Sequence, residues 1–370
     1  MDIRNNSYPL LRRTVSVSNQ CRYICYGCPF VKDLLIKELF TRGLLWTPHL
    51  YDHISVQHFM PYETTRNILL RVSVRCSQMQ NHFQFIAKLP KARPEESKHN
   101  HSFRNEVLFY SIRKNFRNRI FPNCYFGNHS PLKSAHPVVV LEDLTKCGFA
   151  PFERKLNKSR LIICVKLLAT FHANTYRLQK ENNNIYVFSL FEILKRESKK
   201  ERIEQRKERV RVFLSSTIMS ELDNVLRTKI KRKLKKVELL KTDIASTIIH
   251  GCFTRSNIFV KYDDQGCRTK LIDFQAIKYD SPSIDFGRIF LTNLPNEHNV
   301  SKLENMFKII LHTYLEKLKK DYPRVIFTLV RQDIVHNMIL SYINLNDEEK
   351  EAIENHKPIL HMLNKIGSFD

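Results

Sequence analysis

Glycine is scarce: it fills 8 of 370 positions, where a share of about 7% is usual. Loops that bring backbone amides close to phosphate need glycine. The scarcity therefore argues against several glycine-rich nucleotide-binding solutions. Tryptophan occurs once. No uncharged apolar run approaches the roughly 18 residues of a membrane span, and even LIICVKLLATF is broken by Lys166. The N-terminal MDIRNNSYPLLRRT lacks the apolar stretch of a secretory signal. Acidic side chains are in short supply, 37 against 61 basic ones, for a net charge of +24. What remains, 42% hydrophobic and 26% charged, is ordinary for a globular protein and excludes fibrous and wholly disordered classes.

Nine cysteines are an odd number in a chain without a secretory signal. The expectation is a cytoplasmic protein with reduced thiols. Cys21, Cys25 and Cys28 have spacing that could start a zinc site, but no second CxxC or HxxxH pair accompanies them. The basic excess concentrates between Lys195 and Lys241, with 17 Lys/Arg and 7 Asp/Glu. Such a field attracts phosphate-bearing partners, nucleic acid included. No aromatic interleaves Lys229–Lys236 to stack bases. Apolar residues from Ile203 to Ile218 recur at helical spacing, which favours a solvated helical face.

Periodicity predicts a helix over Pro29–Phe40, strands over Ile68–Val74 and Phe83–Leu89, a helix over Phe103–Ile112 and a short buried strand at Val138–Leu141. From about Ser159 the pattern is helical, with Leu161–Leu178 first and two helices in the basic region. One interruption, Ser246–Asp273, reads as strand, loop and a hairpin turned at DDQG. Three helices are predicted to close the chain, near 300–320, 323–344 and 347–363. The fold class is α+β and bilobal: a strand-rich N-lobe, 1–141, and a larger helical C-lobe, 142–370.

Two constellations carry chemistry. Lys88 ends an apolar strand, and Glu106 lies on the next helix beside its apolar face. An ion pair between them would hold the ammonium against nucleotide phosphates. Asn257 opens one strand of the predicted hairpin and Asp273 ends the other. A carboxylate and an amide oxygen are hard donors suited to Mg2+ that shares substrate phosphates.

These pieces resemble the ecdysteroid kinase-like family, within the choline kinase and aminoglycoside kinase-like group. They fall in the family's order: FIAKLP, FRNEVLFY, VVVLEDL, LLATFHANT, HGCFTRSN, LIDFQ and SPSIDF. The resemblance implies a protein kinase-like fold, ATP and Mg2+ as cofactors, and a small-molecule hydroxyl substrate such as an ecdysteroid or another sterol. It assigns Lys88 to the phosphates, Glu106 to orienting Lys88, main chain from Glu142 to Leu144 to adenine, and Asn257 and Asp273 to the metal. His250 and Asp285 would brace the catalytic loop, and His172 would pack.

The family's catalytic loop reads HGD-x-W-x-N-N. Here Cys252 stands at the catalytic Asp, Thr254 at the Trp and Ser256 at the first Asn. A thiol near its usual pKa is mostly neutral at pH 7 and supplies no fixed charge. Arg255, close in sequence, is one group that could lower it. The stretch expected to cover the phosphates, Ser55–Asn67, has no glycine. Three readings follow: a kinase of impaired activity, a pseudokinase that binds a ligand or partner without turnover, and a basic nucleic-acid-binding protein.

Overall fold

The computed structural model describes residues 27–45, 53–59, 67–76, 81–91, 100–129, 137–181, 185–235, 245–264, 266–353 and 355–369. Residues 60–66 of the glycine-free stretch lie outside them, as do Cys21 and Cys25 of the candidate zinc cluster and Lys236 of the basic run. The chain forms two compact units. One comprises Met1–Phe103 and Pro122–Cys147, the other Arg104–Phe121 and Gly148–Asp370.

The first unit holds a five-stranded antiparallel sheet, ordered β1-β2-β3-β5-β4. Its strands are β1 (His53–His58), β2 (Asn67–Cys76), β3 (Asn81–Pro90), β4 (Cys124–Asn128) and β5 (Val138–Glu142). Alternate residues Leu70, Val72 and Val74 of β2 point to one buried face. That face packs with Val31, Leu35, Ile36 and Leu39 of an N-terminal helix. The helix runs through α1 (Gly27–Phe30), a π-helical turn at Val31–Leu35, and α2 (Ile36–Thr41). Sequence periodicity finds β2, β3 and β5 and misses β1 and β4. HISVQH and CYFGN are short and polar, and β4 carries a register shift between Cys124 and Phe126.

The second unit is helical. Its helices are α3 (Asn100–Ile112, of which Arg104 onward belongs here), α4 (Lys158–Glu181), α5 (Ile185–Leu214), α6 (Thr217–Ser220), α7 (Asn224–Lys235), α8 (Ser283–Leu291), α9 (Val300–Asp321), α10 (Phe327–Ile343), α11 (Asp347–Glu351) and α12 (His356–Lys365). Two small antiparallel sheets accompany them. One is β6 (Ala150–Pro151), β8 (Ile258–Asp263) and β9 (Gly266–Leu271); the other is β7 (Thr247–Ile249) with β10 (Lys278–Asp280). Along α7, Leu226, Ile230 and Leu234 are buried while Lys231, Arg232 and Lys235 are exposed. Lys231, Arg232 and Lys235 therefore form the outer face of an amphipathic helix, while Lys233 of the same run is buried.

The expected final helix, 347–363, is instead two. Asn346 and Glu349 form a reciprocal capping box that starts α11. Pro358, which has no N–H to donate, is confined to the first turn of α12, so the helix restarts after Asn355. Among the described residues no helix is long and apolar enough to cross a membrane.

A buried polar network sits where β10, α8 and α10 meet. Arg206 donates to Asp280 Oδ1 at 2.7 Å. Ser281 Oγ donates to Asp333, and Asn337 Nδ2 donates to its other oxygen at 2.9 Å. Burial, aided by the neighbouring Asp280 charge, pushes the Asp333 carboxyl up to about 7, against those two hydrogen bonds and the Arg206 charge. A pKa raised on folding favours the native state fully below the ordinary carboxylate range, and that benefit is lost as pH rises through about 7. Asp333→Asn is therefore expected to flatten the fall in Tm across that window. An unchanged Tm-versus-pH curve for the variant would contradict this.

Candidate catalytic loop and metal motif

The β8–β9 ladder sets Ile258 opposite Leu271, and the Ile272 amide donates to the Asn257 carbonyl at 3.1 Å. Chain entry into β8 and exit from β9 are thereby tied side by side, which places residues 257 and 273 at one end of the hairpin. Asn257 donates its Nδ2 to the Cys252 carbonyl at 3.0 Å, leaving Oδ1 as its donor oxygen. Asp273 has φ 65° and ψ 72°, and it is the one non-glycine at positive φ among the described residues. Such a conformation costs about 1–3 kcal/mol and persists only where surroundings enforce it.

The enforcement is visible on the next residue. Phe274 stacks on Phe109 of α3 with ring centres 3.9 Å apart, amid edge contacts to Phe121 and Tyr110. Its amide donates to Oε1 of the fully buried Glu106 at 3.4 Å. The helix glutamate thus touches the backbone immediately after Asp273.

His250 links the candidate catalytic loop, HGCFTRSN, to the candidate metal motif, LIDFQ. A carbonyl can only accept, so Nε2 donates to Ile272 O at 2.9 Å; an amide can only donate, so Nδ1 accepts from Cys252 N at 3.3 Å. Both bonds suit the neutral ring, and complete burial holds its pKa below the usual value. Asp285, at the start of α8, braces the same loop. Its oxygens accept from the His250 amide at 2.6 Å and the Gly251 amide at 2.8 Å, and His172 Nε2 lies 3.3 Å away. Burial opposes ionisation, yet His172 and the His250 amide hold the Asp285 carboxyl below the usual carboxylate range. His172 is in turn bonded through Nδ1 to the Tyr314 hydroxyl at 2.7 Å. Gly251 has φ 78°, and a Cβ there would collide with the Ala276 carbonyl, so this turn admits only glycine.

Cys252 follows directly. Burial pushes its thiol up, and the negative charges of Asp273 and Glu349 add to this; the Arg288 guanidinium beside it pulls the other way and is outweighed. This corrects the thiolate alternative. The nearby cation is Arg288 of α8 and not Arg255, and the thiol stays protonated. Sequence reading missed Arg288; its signal was a charge inside the apolar run SIDFGRIFL, where a buried stem needs partners. Those partners are Glu349, 3.5 Å from Nε, and the Asn344 carbonyl, 3.3 Å from Nη2.

In the first unit, Lys88 lies on β3 between Leu69 and Val139 and is 6% exposed. Glu142 ends β5, where its amide donates to Asn123 O at 2.8 Å and its Oε2 accepts from Asn123 N at 2.9 Å. The turn after it is fixed by Asp143, another residue missed in the sequence. Arg71 Nε donates to Asp143 Oδ2 at 2.7 Å, and the Thr145 hydroxyl donates to Oδ1 at 2.6 Å. A carboxylate directly after VVVLE had to find such partners. Leu144 is buried next to it. Among the described residues no group of three or more His, Cys, Asp and Glu side chains is arranged to hold a metal ion.

No curated protein matches this sequence. Solved structures with similar folds include choline kinase from Cryptosporidium parvum Iowa II, at 12% identity, 90% coverage of this chain, 93% of that one and a TM-score of 0.46. Ethanolamine kinase from Plasmodium vivax gives 15%, 88%, 84% and 0.49. A microcompartment-associated aminopropanol kinase gives 12%, 86%, 92% and 0.45. The profile of the ecdysteroid kinase-like family matches residues 63–325. That span begins between β1 and β2 and runs through the candidate catalytic loop, the candidate metal motif and the Asp285 brace into the closing helices, and over it this chain belongs to the ecdysteroid kinase-like family.

Proposed function

We propose that the protein binds ATP with magnesium and transfers the γ-phosphoryl group to a hydroxyl of a small molecule, slowly, because Cys252 stands where a base is needed. The family name suggests an ecdysteroid or another sterol as acceptor, and a cytoplasmic setting would supply the ATP and keep the thiols reduced. The supporting observation is the enforced left-handed backbone of Asp273 beside Asn257. Strain of this kind is retained where it aims a functional group.

Asn257 Oδ1 and the Asp273 carboxylate are hard oxygen donors, a set that fits magnesium. Bound there, the ion would neutralise charge on the phosphates. In this reading Lys88 binds the phosphates, Glu106 orients it, and main chain from Glu142 to Leu144 receives adenine. The rigid Arg71–Asp143–Thr145 turn supports that last assignment by presenting a fixed backbone edge. As the acceptor oxygen bonds to the γ-phosphorus, the bond to the bridging oxygen of ADP breaks. The hydroxyl proton leaves to water, since a protonated thiol cannot take it.

A second reading, a pseudokinase that holds ligand without turnover, is favoured by the raised pKa of Cys252 alone. Phosphate transfer from labelled ATP to a panel of sterols and other alcohols, by the natural chain and by Cys252→Asp, separates the two. Product from the natural chain supports the kinase; product from Cys252→Asp alone, or from neither, supports the pseudokinase.

A further inference from the structure

The basic segment of the sequence has no part in the chemistry above, and α7 carries its most one-sided stretch. Asn224–Lys235 holds six Lys and Arg residues and no Asp or Glu. Other basic helices of the chain carry their own acids. On α5, Lys195 pairs with Glu192, Lys207 with Glu204 and Arg211 with Glu208; on α9, Lys308 pairs with Glu304 and Lys317 with Asp321. On α7, two of the cations serve the fold. Arg227 donates to the Met219, Ser220 and Leu222 carbonyls, and Lys229 donates to Asn364 Oδ1 at 3.3 Å. Lys231, Arg232 and Lys235 are exposed, and no carboxylate of the described residues lies within ion-pair distance of them. The helix dipole accounts for cations in the last turn. It does not account for the lack of any acid, since an acid one turn away would stabilise the helix further.

The seating of α7 shapes this face. Leu226, Ile230 and Leu234 are buried along its length, so the helix lies flat on its own unit. At 3.6 residues per turn, Thr228, Arg232 and Lys235 share a stripe on the opposite side. Lys231 flanks it, as does Val225, which is 69% exposed. A helix sunk along one whole side cannot enter a nucleic-acid major groove, which admits a projecting helix. Nor does α7 offer an aromatic side chain for a base to stack on. A planar anionic surface can meet all three charged heads at once. The apolar side of α7 is already used against the protein, so the contact is electrostatic, at headgroup level, without insertion.

We propose that α7 docks the protein on an anionic lipid bilayer, with Lys231, Arg232 and Lys235 against the phospholipid headgroups. The surface is separate from the candidate catalytic loop and does not depend on the kinase reading.

Co-sedimentation of the full chain with vesicles tests this. One set is phosphatidylcholine alone, and the other contains roughly one phosphatidylserine in three lipids, enough for a negative surface potential. The expected result is binding to the second set only, lost as added salt shortens the screening length. Lys231→Gln, Arg232→Gln and Lys235→Gln made together should weaken it at least tenfold, on the order expected for three headgroup contacts. Lys207→Gln, Arg211→Gln and Lys308→Gln together remove the same charge from α5 and α9 and should leave binding within about threefold, since those side chains already have acidic partners. All six side chains are exposed, so both variants should keep the natural Tm. No binding to the acidic vesicles, or an equal loss in both variants, overturns the inference. So does duplex DNA or RNA that binds through the same three residues more tightly than the vesicles do.

Discussion

Cys252→Asp is expected to raise phosphoryl transfer from ATP by roughly 10²–10⁴-fold, the usual contribution of a positioned general base. Three features prepare the position. Asp285 fixes the loop through the His250 and Gly251 amides, Asn257 binds the Cys252 carbonyl, and His250 binds the Cys252 amide. The new side chain thus hangs from a backbone already held at both ends. Its carboxylate would meet Arg288, whose charge favours ionisation. In the natural chain burial defeats that same charge and the thiol stays protonated. Phosphoryl transfer depends mostly on positioning and charge stabilisation, so a slow natural rate and a faster variant are both compatible with one intact scaffold. The measurement is ADP formation with an alcohol panel. Unchanged turnover in a variant that still binds nucleotide would show that more than the base is missing.

Asp285→Ala is expected to destabilise the protein by about 3–5 kcal/mol, the cost of removing one partner from a buried charged network. Asp285 is fully buried, and its loss strands the amides of His250 and Gly251 together with His172. The fall in Tm should be on the order of 5–10 °C. The pH dependence has a definite sign. A carboxyl depressed on folding contributes stability above its unfolded pKa, and that contribution is lost as pH falls through the folded value. The natural chain should therefore weaken in acid more than the variant does, and the gap in Tm between them should narrow there. A gap that stays constant into acid would contradict the ionised brace. Asp333 behaves in the opposite sense, since its raised pKa favours the native state at low pH.

Much of this arrangement was legible in the sequence because it rests on periodicity and order. The alternation Ile68, Leu70, Val72, Val74 marks a strand, and the run HGCFTRSN…LIDFQ marks a hairpin whose two ends meet. What stayed hidden depends on partners distant along the chain. Nothing near Cys252 in sequence announces Arg288 or Glu349, which reach it from α8 and α11. Arg71 lies on β2 and Asp143 directly after β5, and they become a pair only once the sheet is registered. The left-handed backbone at Asp273 has no sequence signal, because aspartate tolerates that region without requiring it. The split of the last helix was readable in principle from Pro358, whose ring is tolerated only in a first turn.

The most direct test of the nucleotide assignment is calorimetric titration of ATP, with and without magnesium, into the natural chain and into Asp273→Asn. Magnesium-dependent binding that weakens at least tenfold in the variant, with Tm unchanged, is the predicted result. Binding indifferent to magnesium or to Asp273, or no binding at millimolar ATP, would contradict it.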